Sequence, residues 1–228
     1  MEAEEARIRS VYSTRGKDAR YSWFSEGHLF FVQERERYVL AALKRNGHSS
    51  LETKSILEVG CGTGYWLREF IKWGARPENI TGIDLIPDRV EEARRLCPSG
   101  ISIQCGSGVE LGLPDETFDL VFQSTVFTSI LEPSVKQQVA SEMLRVVKKT
   151  GMIIWYDFHV NNPWNPEVRG VKKQEILQLF GGCQTELERI TLAPPLVRGV
   201  APYSWLACYL LAKIPWLCSH YLGVIKKV

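Results

Sequence analysis

The run Ser55-Ile56-Leu57-Glu58-Val59-Gly60 passes directly into Cys61-Gly62-Thr63-Gly64, and this junction constrains the chain more than any other stretch. A short apolar run that ends on glycine reads as a buried strand. Tyr65 to Trp73 then carries apolar residues at helical spacing, and Gly74 stops it. Glycines between a strand and a helix let the backbone turn sharply and approach a ligand with no Cβ in the way. In open α/β sheets that end of a strand is where ligands bind.

The same alternation continues downstream. Asn79 to Leu85 reads as a second strand ending on Asp84, and Pro87 starts a helix that runs to about Leu96. Ile101–Cys105, Phe118–Gln123 and Gly151–Asp157 read as further strands, with helices over Val135–Val147 and Lys172–Phe180. Strands alternating with helices of this length imply right-handed βαβ crossovers and a mainly parallel sheet with helices on both faces. Thr185–Leu192 and His220–Lys226 complete the set. The expectation is an α/β, Rossmann-like sheet of seven strands. It is read as one domain over 1–228, with a helical N-terminal cap (1–50), a core (51–192), an apolar insertion (193–219) and a last strand (220–228). The cap is expected to break around Gly16 and again near Gly27.

The third glycine of G-x-G-x-G comes one residue earlier than in dinucleotide-binding loops, and Tyr65 occupies the place their third glycine needs. Asp84, twenty residues past Gly64, is placed to accept hydrogen bonds from a ribose diol. Cys105-Gly106-Ser107-Gly108 follows the third strand, and Leu113-Pro114-Asp115-Glu116-Thr117-Phe118-Asp119-Leu120-Val121 leads into Gln123 and Ser124. Together these resemble the motifs of class I S-adenosylmethionine-dependent methyltransferases. Within that family the core is similar to the small-molecule enzymes of the ubiquinone-biosynthesis type. There Lys148-Lys149-Thr150-Gly151 stands in place of a K-P-G-G turn before strand five.

The resemblance runs from about Ser55 to Asp157. It implies S-adenosyl-L-methionine as cofactor and S-adenosyl-L-homocysteine as product. It places Glu58, Gly60, Cys61, Gly62, Gly64, Asp84, Leu85, Ser107, Gly108, Gln123 and Ser124 around that cofactor. Ser107 departs from the family, which commonly has an Asp there to receive the adenine amino group; a hydroxyl is the weaker acceptor. Tyr12 and Tyr21, or more strongly Arg20, are candidates for reaching the cofactor's carboxylate from a cap helix.

Sulfonium methyl transfer asks the protein mainly to position and desolvate. His159 lies just past strand five and is a candidate base for a substrate hydroxyl, with Asp157 as its orienter; His28 is a second candidate. The expected reaction is metal-independent transfer to a small-molecule acceptor, with a hydroxyl oxygen of a sugar, phenol or natural-product intermediate favoured. Two readings compete: an NAD(P)-dependent oxidoreductase, disfavoured by Tyr65, and a catalytically silent cofactor-binding module.

The net charge is +2 and no run of five or six like charges occurs, so no nucleic-acid partner is expected. The six cysteines form no C-x-x-C pair and no metal-ligand spacing, which reads as free thiols in a reducing compartment. The acidic start Met1-Glu2-Ala3-Glu4-Glu5 has no apolar stretch behind it, and the run Trp205–Cys218 is broken by Lys213 and Pro215. Neither a signal peptide nor a transmembrane segment is expected, and a cytoplasmic location follows. The insertion is a candidate lid, homodimer face or membrane-touching patch.

Overall fold

A computed structural model describes residues 2–13, 22–162 and 165–228. Its elements are α1 (Glu2–Ser13), α2 (Glu26–Arg45), β1 (Ile56–Val59), α3 (Tyr65–Lys72), β2 (Ile80–Asp84), α4 (Pro87–Leu96), β3 (Ser102–Cys105) and β4 (Phe118–Ser124). Then follow α5 (Pro133–Val146), β5 (Val147–Phe158), α6 (Lys173–Leu179), β6 (Cys183–Leu192), α7 (Pro194–Val200), α8 (Trp205–Leu211) and β7 (Cys218–Lys227). The seven strands form one sheet in the order β3-β2-β1-β4-β5-β7-β6. The pairs from β3 to β5 are parallel, whereas β7 runs antiparallel to both β5 and β6. The chain reverses its lateral direction between β3 and β4, so β1 and β4 flank the point where a crevice opens at the strands' carboxyl ends.

Neighbouring residues on each central strand face opposite sides, and both sides are apolar because both are covered. Ile56, Phe122, Ile154 and Tyr156 pack beneath α2, α3 and α4, against Leu43, Trp66, Phe70 and Ala93. Their neighbours Leu57, Val121, Ile153 and Trp155 pack beneath α5 and α6, against Val139, Met143, Ile176 and Phe180. A third cluster joins Phe30 of α2 to Leu192, Val197, Ala201 and Cys208, and so ties the insertion to the cap.

The break expected near Gly27 is present, and one other local expectation is corrected. The second break in the cap falls before Ser25, whose hydroxyl accepts from the His28 N–H and caps α2, so Gly27 lies inside the helix. Lys148-Lys149-Thr150-Gly151 is not a turn: β5 begins at Val147, and its register against β4 shifts between Phe118 and Leu120. A Cβ on Gly151 would stand 2.9 Å from the carbonyl oxygens of Phe118 and Asp119, so this irregular pairing needs glycine. Gly16 lies outside the described residues. The insertion forms α7, α8 and a 3-10 turn, and it leaves Tyr203, Leu206, Leu210 and Trp216 exposed. Among the described residues no helix is long and apolar enough to cross a membrane.

Candidate active site

A cavity of about 1270 Å³ opens at the crevice between β1 and β4. Small-molecule pockets usually span about 300–1,000 Å³. The space therefore exceeds what one nucleoside cofactor needs and leaves room for a second molecule.

One end is built by turns that follow the parallel strands. Gly60 sits on the wall with φ +73, and a Cβ there would lie 2.4 Å from Val126 Cγ2. Only a bare backbone lets the β1 and β4 turns approach this closely. The Gly60 and Cys61 N–H groups both donate to the Ile83 carbonyl, at 2.7 and 3.0 Å, which locks the glycine loop to β2. Asp84 is buried; its Oδ2 accepts from the Gly62 N–H at 2.7 Å and its Oδ1 from the Ile86 N–H at 2.9 Å. Each oxygen keeps a second lone pair, so the carboxylate can accept two further hydrogen bonds while it holds the loop. Leu85, Ser107 and Gly108 continue this wall.

The waist of the cavity is Ser124, Thr125 and Val126. Thr125 has φ +59, a conformation that costs a β-branched residue on the order of 1–3 kcal/mol. Its N–H is held by the Tyr156 carbonyl at 2.8 Å, so pairing with β5 keeps the turn in this shape.

The other end is walled by His28 and Phe31 of α2, by Phe158, Val160 and Val168, and by Pro194 and Val197 at α7. Burial, and then the nearby Arg35 guanidinium, hold the His28 imidazole below its ordinary pKa. It is therefore neutral, and a proton acceptor, at neutral pH. Arg35 itself lines the cavity and lies 4.6–5.6 Å from the ring centres of Trp66, Tyr65, Tyr156 and Phe31. Among the described residues its buried Nε has no hydrogen-bond partner. A cation held against ring faces is ready for an anionic group.

Apart from His159 and Asp157, the expected site residues divide in three. Gly60, Asp84, Leu85, Ser107, Gly108, Ser124, Tyr12 and His28 stand on the cavity wall. Glu58, Cys61, Gly62, Gly64 and Gln123 do not; they support the wall from behind. Glu58 is almost fully buried under the loop, and burial, helped by the Asp84 charge, raises its pKa well above the usual carboxylate range. Gln123 is fully buried, and its Oε1 accepts from the Val126 N–H at 3.1 Å, shaping the waist. Gly64 caps α3 at φ +76, where a Cβ would meet Cys97 Sγ at 2.5 Å. Tyr21 and Arg20 lie outside the described residues.

The expected His159–Asp157 pair does not form at the cavity. The His159 ring points to the Cys218 carbonyl, 3.0 Å from Nε2, and packs against Tyr221. Burial lowers its pKa. Asp157 is buried too, and its Oδ1 accepts from the Thr128 hydroxyl at 2.6 Å, fixing the turn after β4. Successive strand residues point to opposite faces, and at the end of β5 neither side chain is turned to the crevice. His220, read as structural, is buried, stacks on Tyr156 at 4.7 Å and touches the cavity wall. Burial lowers its pKa to about 3, so it stays uncharged.

Arg35, Arg89 and Glu5 were not singled out by the sequence. They reach the cavity from α1, α2 and α4, which carry no motif of their own, and only the fold brings them there.

Residues 56–151 match a protein family described as a methyltransferase domain. Over 209 residues the chain is 28% identical to a 2-methyl-6-phytyl-1,4-hydroquinone methyltransferase of Synechocystis, covering 86% of this chain and 63% of that protein. It is 33% identical over 114 residues to a fatty-acid O-methyltransferase of Mycolicibacterium smegmatis, covering 48% of this chain and 39% of that one. The chain thus spans less than two thirds of the length of either relative. Among solved structures, a magnesium protoporphyrin IX methyltransferase of Synechocystis with bound S-adenosylmethionine superposes with a TM-score of 0.67 at 16% identity, covering 98% of this chain and 97% of that one.

Proposed function

We propose that this chain, whose residues 56–151 form a methyltransferase domain on the class I fold, transfers a methyl group from S-adenosyl-L-methionine to a hydroxyl oxygen of a small apolar molecule. One observation carries the reading: a single cavity joins the Asp84–Ser107 end to the His28–Phe31 end across the strained turn at Thr125. When bound, the cofactor supplies an electrophilic methyl group on a sulfonium. Asp84 would hold the ribose diol, Gly60 would leave room for the chain that joins ribose to amino acid, and Arg35 would pair with the carboxylate. These assignments rest on donor and acceptor chemistry: a buried carboxylate with free lone pairs, a bare backbone and a cation with an unused Nε.

The residues at the other end position the acceptor. Phe31, Val160, Val168 and Val197 offer apolar contact and exclude water, which strengthens every polar contact inside. His28 takes the hydroxyl proton as the oxygen attacks. The new bond is carbon–oxygen, the broken bond is sulfur–carbon, and the electron pair stays on sulfur. The phytylhydroquinone relative acts on a phenolic, prenylated molecule, and an apolar wall beside the neutral imidazole of His28 suits an acceptor of that class.

Calorimetric titration with S-adenosylhomocysteine tests the cofactor assignment. Asp84→Ala is expected to weaken binding about 100-fold, since two charge-assisted hydrogen bonds are lost; unchanged affinity defeats the ribose role. A panel of phenols, hydroquinones and long-chain acids, followed by mass spectrometry for an added methyl group, tests the acceptor. Methylation of acids alone defeats the hydroxyl reading.

A further inference from the structure

Resting on the nucleoside reading above, we propose that Glu5, carried on α1, is the residue that receives the exocyclic amino group of the cofactor's adenine.

Ile86 follows Asp84 by two residues, Val109 follows Ser107 by two, and Ile8 lies one helical turn after Glu5, and all of them line the cavity. We take this apolar stretch of wall beside Ser107 and Glu5 as the slot for the flat base. An exocyclic amine has two hydrogens to donate and needs acceptors. Among the described residues on the cavity wall only Asp84 and Glu5 are carboxylates, and Asp84 is committed to the glycine loop and the ribose side. Ser107 cannot serve alone. The Val109 N–H donates to its Oγ at 3.2 Å, and its hydroxyl donates to Glu5 Oε1 at 2.5 Å. One lone pair is left on the serine. The negative charge at this end belongs to Glu5, which keeps its second oxygen for a donor.

Among the described residues the segment after β3 therefore puts no carboxylate on the cavity wall, and a helix more than a hundred positions away along the chain supplies one beside Ser107. Glu5 is held there by its neighbours on α1. Glu4 Oε1 accepts from the Leu131 N–H at 2.6 Å, and Arg7 donates to the Ser129 carbonyl at 2.6 Å and pairs with Glu167 at 2.9 Å. α1 has no fully buried residue, so these polar contacts, with Ile8 packed partly on the core, hold the helix over the slot.

The test uses the full chain and two ligands: S-adenosylhomocysteine, and its analogue with hydrogen in place of the purine amino group. Calorimetry on the unmutated protein is expected to favour the amino compound about tenfold or more, the size of one hydrogen bond to a charged group. Glu5→Ala is expected to lose that preference by weakening the amino compound and leaving the analogue unchanged. Adding Ser107→Asp to Glu5→Ala restores the preference, because the carboxylate then comes from the sheet. A Glu5→Ala variant that keeps the preference, or that weakens both ligands equally, overturns the assignment while the cofactor reading stands. An unmutated chain that binds neither ligand overturns both.

Discussion

The floor of the cavity is laid by the turns after β1, β2, β3 and β4, whereas its cover is carried by α1, α2 and α7. On the floor, polar contacts run from backbone to backbone or from backbone to a buried carboxylate: Gly60 and Cys61 to Ile83, Gly62 and Ile86 to Asp84. The cover over the base slot is held by side chains that reach across water-accessible gaps, such as Arg7 to Glu167. Buried backbone bonds around a packed core tolerate little displacement, while part-exposed ion pairs are weak and screened by salt. The floor is thus a fixed template, and α1 is a part that can lift.

That contrast can be broken first at Gly60. Gly60→Ala places a methyl group against Val126 and strains a positive φ, so cofactor affinity is expected to fall on the order of 1000-fold by calorimetry. Retained affinity would mean that the floor adapts. On the cover, His28→Gln is expected to lower kcat about 100-fold while cofactor affinity stays within about threefold. The sign of its pH dependence follows from the lowered pKa. The unmutated enzyme's rate should level off below the pH at which an exposed imidazole is half neutral, and fall only on the acid side of that point. A profile unchanged in His28→Gln removes the histidine from proton transfer. The smallest effect is expected at the latch. Arg7→Ala should weaken cofactor binding by about threefold at low ionic strength, and the difference should vanish near 1 M salt. A loss that persists in salt would show α1 to be fixed as firmly as the floor.

The same division decides what could be read from the sequence. The floor is written locally. The short run ending at Gly60, Asp84 three residues before the helix-starting Pro87, and Ser107 after β3 each sit beside the turn they build, so residue type and spacing placed them. The cover is written in contacts between distant positions. Glu5 meets Ser107, and Arg35 meets Tyr156, only after the sheet has formed. His159 failed for a different reason. Its position after β5 is at the carboxyl end of the sheet, but the direction of the side chain depends on the antiparallel pairing with β7, where His220 lies opposite Phe158. Lys148 to Gly151 misled because a bulged strand and a turn ask for the same glycine.

The strand order has a consequence for how the protein comes to exist. Among the described residues β6 has β7 as its only hydrogen-bonded strand neighbour, and β7 fills the place between β6 and β5 although it comes later along the chain. While the ribosome is still adding residues 193–217, β6 has no rung to pair with and β5 has one open edge. The nascent chain must keep these two edges from joining, or from recruiting another chain, until residues 218–227 emerge. The apolar stretch around α7 and α8 is made in this interval. Sealing the sheet therefore waits until residues 218–227 have been made.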